Sequence, residues 1–99
     1  MEEYEYPSDW FIEWNFEGNL LKIPKHYELE IKLQKEFNCD DIEIKAMNGE
    51  DWGSIEMDIN ICGVEVNTIV DSSMSIEELV EIVKEDYNYE LRRRRLYMR

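Results

Sequence analysis

Apolar positions along this chain recur with two periods, and the switches between them mark the elements. Trp10-Phe11-Ile12-Glu13-Trp14-Asn15-Phe16 and Leu20-Leu21-Lys22-Ile23 flank Glu17-Gly18-Asn19. A two-residue loop at Gly18-Asn19 suits a tight hairpin, because glycine and asparagine tolerate positive φ. That register sets Phe16 against Leu21 and Trp14 against Ile23, with Trp10, Ile12, Trp14 and Phe16 on one face. Ile42–Ala46 reads as a third strand, and residues 48–54 as a turn or loop. From Ile55 to Ile61, Ile55, Met57, Ile59 and Ile61 share one face, and Glu56, Asp58 and Asn60 share the other. Cys62-Gly63 closes a second hairpin into Val64–Val70, pairing Ile61 with Val64, Ile59 with Val66 and Ile55 with Val70.

Two segments read as helices. Lys25–Phe37 is rich in Glu, Leu, Lys and Gln, with Pro24 suited to a first helical position and Asn38 placed to end it. Yet Tyr27, Leu29, Ile31 and Leu33 alternate strictly with Glu28, Glu30, Lys32 and Gln34, which is a strand pattern. Propensity and the two end signals favour helix, with strand as the alternative. The last helix has the clearest start: Ser75 as N-cap, Glu78 three residues on as its capping-box partner, and Met74 and Leu79 spaced for a hydrophobic staple. Ile76, Leu79, Val80, Val83 and Tyr87 form its apolar stripe. It ends near Asp86–Asn88 or continues into the arginines.

The expected fold is therefore α+β, one small domain with a mostly antiparallel sheet and two helices in the order ββ-α-βββ-α. Residues 1–9 read as an acidic, aromatic arm, 10–91 as the domain and 92–99 as a basic tail. Residues 25–87 resemble double-stranded RNA-binding domains in their αβββα order. Those domains bind phosphate with positive charge, whereas the corresponding surface here is negative, so no direct binding of nucleic acid is expected.

Charge changes the picture most. The 99 residues carry 24 acids against 11 basic residues, a net −13. Arg92, Arg93, Arg94, Arg95 and Arg99 are five of those 11, so residues 1–91 hold 24 acids against six lysines, or −18. Self-repulsion on that scale works against compaction and needs a reason. The N-terminus lacks the basic-then-apolar pattern of a secretory signal, and no apolar run spans a bilayer. Cys39 and Cys62 have no CxxC spacing and read as two reduced thiols, so a cytoplasmic protein without membrane contact is expected.

Candidate chemistry is sparse. His26 reads as a surface residue, no serine or cysteine sits in a nucleophile motif, and no glycine pattern cradles phosphate. Asp40-Asp41-x-Glu43 lacks the spacing of a calcium loop. No catalytic residue, metal or cofactor is expected. Instead the acids are laid out in patches. Glu77, Glu81 and Glu85 form a ridge at i, i+4, i+8, widened by Glu78 and Asp86, and Glu56, Asp58 and Glu65 make a second patch on the sheet. Carboxylates one helical turn apart stand about 6 Å apart, close to the spacing of successive phosphates on a nucleic-acid strand. Tyr4, Tyr6, Trp10, Phe11 and Trp52 exceed the needs of a small core and suit interface anchors.

In size, acidity and lack of catalytic groups the chain resembles the small acidic inhibitors that phages and mobile elements use against host nucleases, including anti-CRISPR and anti-restriction proteins. The resemblance implies a non-enzymatic protein that occupies the basic nucleic-acid-binding surface of a partner, in the host cytoplasm if phage-encoded. The binding residues would be the Glu77–Glu81–Glu85 ridge first and the sheet patch second, with Tyr4 and Tyr6 as anchors. Two alternatives stand beside it: an immunity protein or antitoxin against a basic toxin, and a small enzyme or subunit using a carboxylate pair. The Arg92–Arg95 run fits a solvated helix end, docking onto acids of the same chain, or self-association into a homodimer.

Overall fold

The computed structural model describes residues 6–97, with side chains placed to Arg94. A 3-10 turn at Ser8–Trp10 leads into β1 (Phe11–Phe16) and β2 (Asn19–Pro24), then α1 (Lys25–Phe37), β3 (Ile42–Asn48), β4 (Ser54–Ile61), β5 (Val64–Asp71) and α2 (Ile76–Tyr97). The strands form two antiparallel sheets, β1-β2 and β3-β4-β5. This is the expected α+β fold and element order, with the first hairpin standing as its own sheet. No described helix is long and apolar enough to cross a membrane.

The core follows from strict alternation in the three-stranded sheet. Ile42 and Ile44 of β3, Ile55, Met57, Ile59 and Ile61 of β4, and Val64, Val66 and Val70 of β5 point to one face. Leu29 and Leu33 of α1 and Leu79, Val80 and Val83 of α2 cover that face. Each such side chain withdrawn from water contributes about 1.5–3 kcal/mol. The β4–β5 register is the expected one, Ile61 on Val64, Ile59 on Val66 and Ile55 on Val70. Cys62 at φ 50 and Gly63 at φ 90 supply the two positive-φ residues of that turn.

Residues 25–37 are a helix, and the competing alternation has a physical reading. Leu29 and Leu33, one turn apart, are fully buried, while Tyr27 and Ile31, also one turn apart, are 49% and 41% exposed. The four apolar positions are two stripes on opposite sides of one helix, not one face of a strand. Asn38 ends it in the left-handed conformation, at φ 51 and ψ 50, with its N–H turned back onto the Gln34 and Lys35 carbonyls. Pro24 is not the first helical residue: with ψ at 146 it closes β2 and caps α1 from outside.

The first hairpin differs from the expected register. Phe16 faces Asn19, Trp14 faces Leu21 and Ile12 faces Ile23. The turn is Glu17-Gly18, at φ 52 and 85, one residue earlier than expected. Gly18 takes the second positive-φ position, where glycine is favoured, and its N–H donates to Asn15 Oδ1 at 3.1 Å. The slide moves each pairing by two residues in total, so the faces are unchanged. Trp10, however, leaves that face: it lies in the 3-10 turn and is fully buried.

Three further findings concern the ends and the cysteines. Within the arm read as 1–9, Pro7 is buried, and the Tyr6 hydroxyl donates to the Ala46 carbonyl at 2.9 Å. Of the two ends expected for α2, the longer is found: the helix continues past Asp86–Asn88 into the arginines and runs to Tyr97. Cys39, just past α1, is bonded to Cys62 in the β4–β5 turn across 23 residues, with the two Cα atoms 6.6 Å apart. The expectation of two reduced thiols is thereby overturned, and with it the cysteine argument for a reducing compartment.

Candidate interaction surface

The helices cover one face of the three-stranded sheet, so every second residue of β3, β4 and β5 is left on the other. Their register sets Glu43, Asn60 and Glu65 in one row, Lys45, Asp58 and Asn67 in the next, and Met47, Glu56 and Ile69 in a third. Along a strand these outward positions repeat every two residues, about 6.8 Å, again near the phosphate spacing of a nucleic-acid strand. Asn67 holds two of the acids together: its Nδ2 donates to Asp58 Oδ1 at 2.6 Å and to Glu56 Oε2 at 3.1 Å. Asn60 Nδ2 lies 3.5 Å from Asp41 Oδ1 and continues the line past the sheet end. At the other end Asp71 pairs across from Ser54. The Ser73 N–H and hydroxyl donate to Asp71 Oδ1 and hold this carboxyl below the usual carboxylate range.

The result is a continuous band through Asp41, Glu43, Glu65, Asp58, Glu56 and Asp71, in which Lys45 is the single cation among the described residues. The band ends beside apolar groups. Trp52 in the β3–β4 loop is 74% exposed, Ile69 63% and Met47 48%. Trp52 and Ile69 line one shallow depression together with Asp51 and Asp71. Of the expected sheet patch, Glu56, Asp58 and Glu65 are thus brought together, and Trp52 is presented to solvent.

The helix ridge has a different environment. Glu77, Glu81 and Glu85 are exposed along α2 as expected. Lys84 comes within 3.2 Å of Glu36 and 3.8 Å of Glu81, and its pKa is raised by the hydrogen bond to Glu36 and by both carboxylates. Lys32 and Lys35 of α1 share the inter-helical groove with Glu36, Glu77 and Glu81. The ridge is therefore interleaved with lysines that α1 supplies. Glu78 is engaged in the capping box, taking the Ser75 N–H at 2.9 Å while its own N–H reaches Ser75 Oγ at 3.2 Å. Asp86 is half-buried.

The aromatic residues divide as well. Tyr6 packs edge-on against Phe11 and His26, at 6.1 and 5.9 Å between ring centres, and so is committed within the fold. Tyr4 lies outside the described residues. His26 is not a surface residue. It is 9% exposed, stacks on Trp10, and its Nδ1 accepts the Trp10 indole N–H at 3.3 Å, while burial lowers its pKa. Lys25, 7% exposed, points its ammonium into the β5–α2 connection, donating to the Ser72 and Met74 carbonyls at 2.7 Å each. No pattern in the sequence singles out that lysine, because its partners lie 47 and 49 residues away.

Arg92, Arg93 and Arg94 are exposed in the last turns of α2, where cations are favoured by the helix dipole. Arg93 also contacts Glu90 at 3.1 Å and lies over the Tyr89 ring. Five of the six acids of α2 thus lie between Glu77 and Asp86, while Glu90 stands beside the arginines of its last turns. No family model, curated protein or solved structure matches the chain.

Proposed function

We propose that this is a non-enzymatic acidic binding protein whose uncovered sheet face occupies the basic nucleic-acid-binding surface of a partner protein. One observation carries the reading: six carboxylates run in a band over one open sheet face with a single lysine among them. A coat that only keeps a protein in solution needs no such segregation, since mixed signs serve solubility well. Here the other described lysines lie elsewhere: Lys32, Lys35 and Lys84 on the helices, Lys22 on the first hairpin and Lys25 inside.

The order of the two candidate surfaces is therefore reversed from that expected of the sequence, with Glu56, Asp58 and Glu65 ahead of Glu77, Glu81 and Glu85. Trp52, Ile69 and Met47 at the end of the band are the apolar anchors that convert steering into residence, the role that aromatic residues and methionine play in interface cores. A dense negative field steers a cationic partner quickly and makes binding salt-sensitive. An inhibitor of a nuclease or another nucleic-acid-binding complex, of the phage kind, is the class this reading fits.

The test is affinity capture from a lysate of the native host at low salt, followed by elution with rising salt and, separately, with duplex DNA or RNA. The reading expects a basic partner that leaves the column early in the salt gradient and is displaced by nucleic acid. A partner held regardless of salt, or one that nucleic acid does not displace, contradicts it.

A further inference from the structure

The β1–β2 hairpin is a two-stranded sheet of its own, an arrangement that is marginal in water unless its apolar face is covered. That face carries Ile12, Trp14 and Phe16 beside Ile23 and Leu21. The helix α1 covers its base only. Trp14 and Ile23 are half-buried, whereas Phe16 is 55% and Leu21 47% exposed. Tyr27 and Ile31, the second stripe of α1, form the opposite wall of an open groove of about 390 Å³. Among the described residues Glu30 is the only charged one lining it, in a chain that is 35% charged.

We propose that this groove is the contact between two copies of the chain related by a two-fold axis. The inference stands independently of the proposed function. Two observations lead to a second copy. The first is charge. A cationic protein drawn by the field of this molecule finds its carboxylates on the other sheet and one glutamate here, so charge gives it no reason to settle in the groove. The second is area. Phe16, Leu21, Tyr27 and Ile31, each about half exposed, together present on the order of 400 Å². Two such patches facing each other remove on the order of 800 Å², and the half-buried Trp14, Ile23 and Glu30 that line the same groove add towards the roughly 1,000 Å² that a specific interface needs.

A two-fold axis requires the same surface to fit itself. Here the exposed hairpin face of each copy, with Phe16 and Leu21, lies against the groove of the other and completes the cover that one α1 leaves unfinished. The dimer then presents two acidic sheet faces, which makes it bivalent towards any partner of that face.

Sedimentation equilibrium measured at about 50 mM and about 500 mM salt separates this contact from other modes. Each copy carries −13, so an apolar dimer tightens several-fold as salt screens the mutual repulsion. Head-to-tail docking of Arg92–Arg94 on acids weakens instead. Phe16→Glu on the hairpin and Ile31→Lys on α1 should each weaken the dimer by about a hundredfold or more, because every substitution appears twice in the interface. Leu20→Glu lies on the opposite hairpin face, at a position 67% exposed, and should leave the dimer intact. Unchanged far-ultraviolet circular dichroism confirms that the variants remain folded. A wild-type monomer at about 100 μM in high salt, where the total area predicts association, overturns the proposal. So does a dimer that dissolves with salt, or one that survives both groove substitutions.

Discussion

Lys25→Met is the substitution that most directly probes how the two helices and the N-terminal turn are tied together. The ammonium donates to the Ser72 and Met74 carbonyls at 2.7 Å each, and it lies 5.6 Å above the Trp10 ring. Ser72 is itself 2% exposed, and its hydroxyl donates to Asp9 Oδ1 at 2.6 Å. One lysine therefore fixes the start of α1, the β5–α2 connection and the turn that carries Trp10. Methionine keeps the length and apolar packing of the stem and removes only the charged donor. A hydrogen bond from a charged donor contributes about 1.5–3 kcal/mol, and a buried carbonyl left without a partner costs about 1–3 kcal/mol. Part of that loss returns, because a buried ammonium costs desolvation. Burial lowers the Lys25 pKa even though Asp9, Asp71 and Glu78 pull it up. The net expectation is a loss of about 2–4 kcal/mol in urea unfolding followed by tryptophan fluorescence. A loss below about 1 kcal/mol, the worth of a single ordinary hydrogen bond, would refute the claim that this lysine pins the connection.

Three further predictions test other parts of the account. Reduction of Cys39–Cys62, or Cys39→Ser, releases a loop of 23 residues and should lower stability by about 3 kcal/mol; an unchanged urea midpoint on adding reductant counts against the pairing. His26 is buried and neutral, with a pKa below its ordinary 6.5, so the unfolded chain takes up its proton first. The stability it confers is whole above pH 6.5 and is lost as pH falls through the lowered folded value; the difference between wild type and His26→Leu should shrink on acidification, and a constant difference contradicts the assignment. Ser75→Ala removes the hydroxyl that receives the Glu78 N–H and should cost about 1 kcal/mol, read as a lowered thermal midpoint.

The parts of this fold legible in the sequence are those set by short-range pattern. The β4–β5 register follows from two strict alternations flanking Cys62-Gly63, because a slip of one residue would turn Ile55, Met57, Ile59 and Ile61 outward. The α2 start is equally local, its two capping bonds spanning three residues. In the first hairpin Glu17, Gly18 and Asn19 all accept a turn, and a slide of two residues keeps every side chain on its face. Apolar pattern cannot distinguish those registers. The two stripes of α1 mimicked a strand because leucines and the Tyr27–Ile31 pair happen to alternate.

The candidate surface was legible only in part, for a related reason. Carboxylate spacing on α2 is visible in one element, but the lysines that interleave with it come from α1 as well as from Lys84. The lone signal available beforehand was Lys84 itself, between Glu81 and Glu85. The sheet band needs three strands in register before Glu43, Asp58 and Glu65 become neighbours. Lys25, His26 and the cysteine pair depend on contacts between distant segments, for which local composition carries no mark.

The central claim is that the open sheet face, and not the α2 ridge, engages a cationic surface. It is tested most directly by comparing Glu56→Lys/Asp58→Lys with Glu81→Lys/Glu85→Lys, measuring by surface plasmon resonance the affinity of each double variant for the captured partner. The account predicts that the sheet variant loses binding, mainly through slower association, while the ridge variant stays close to wild type. Equal losses from both, or a loss confined to the ridge variant, would contradict it.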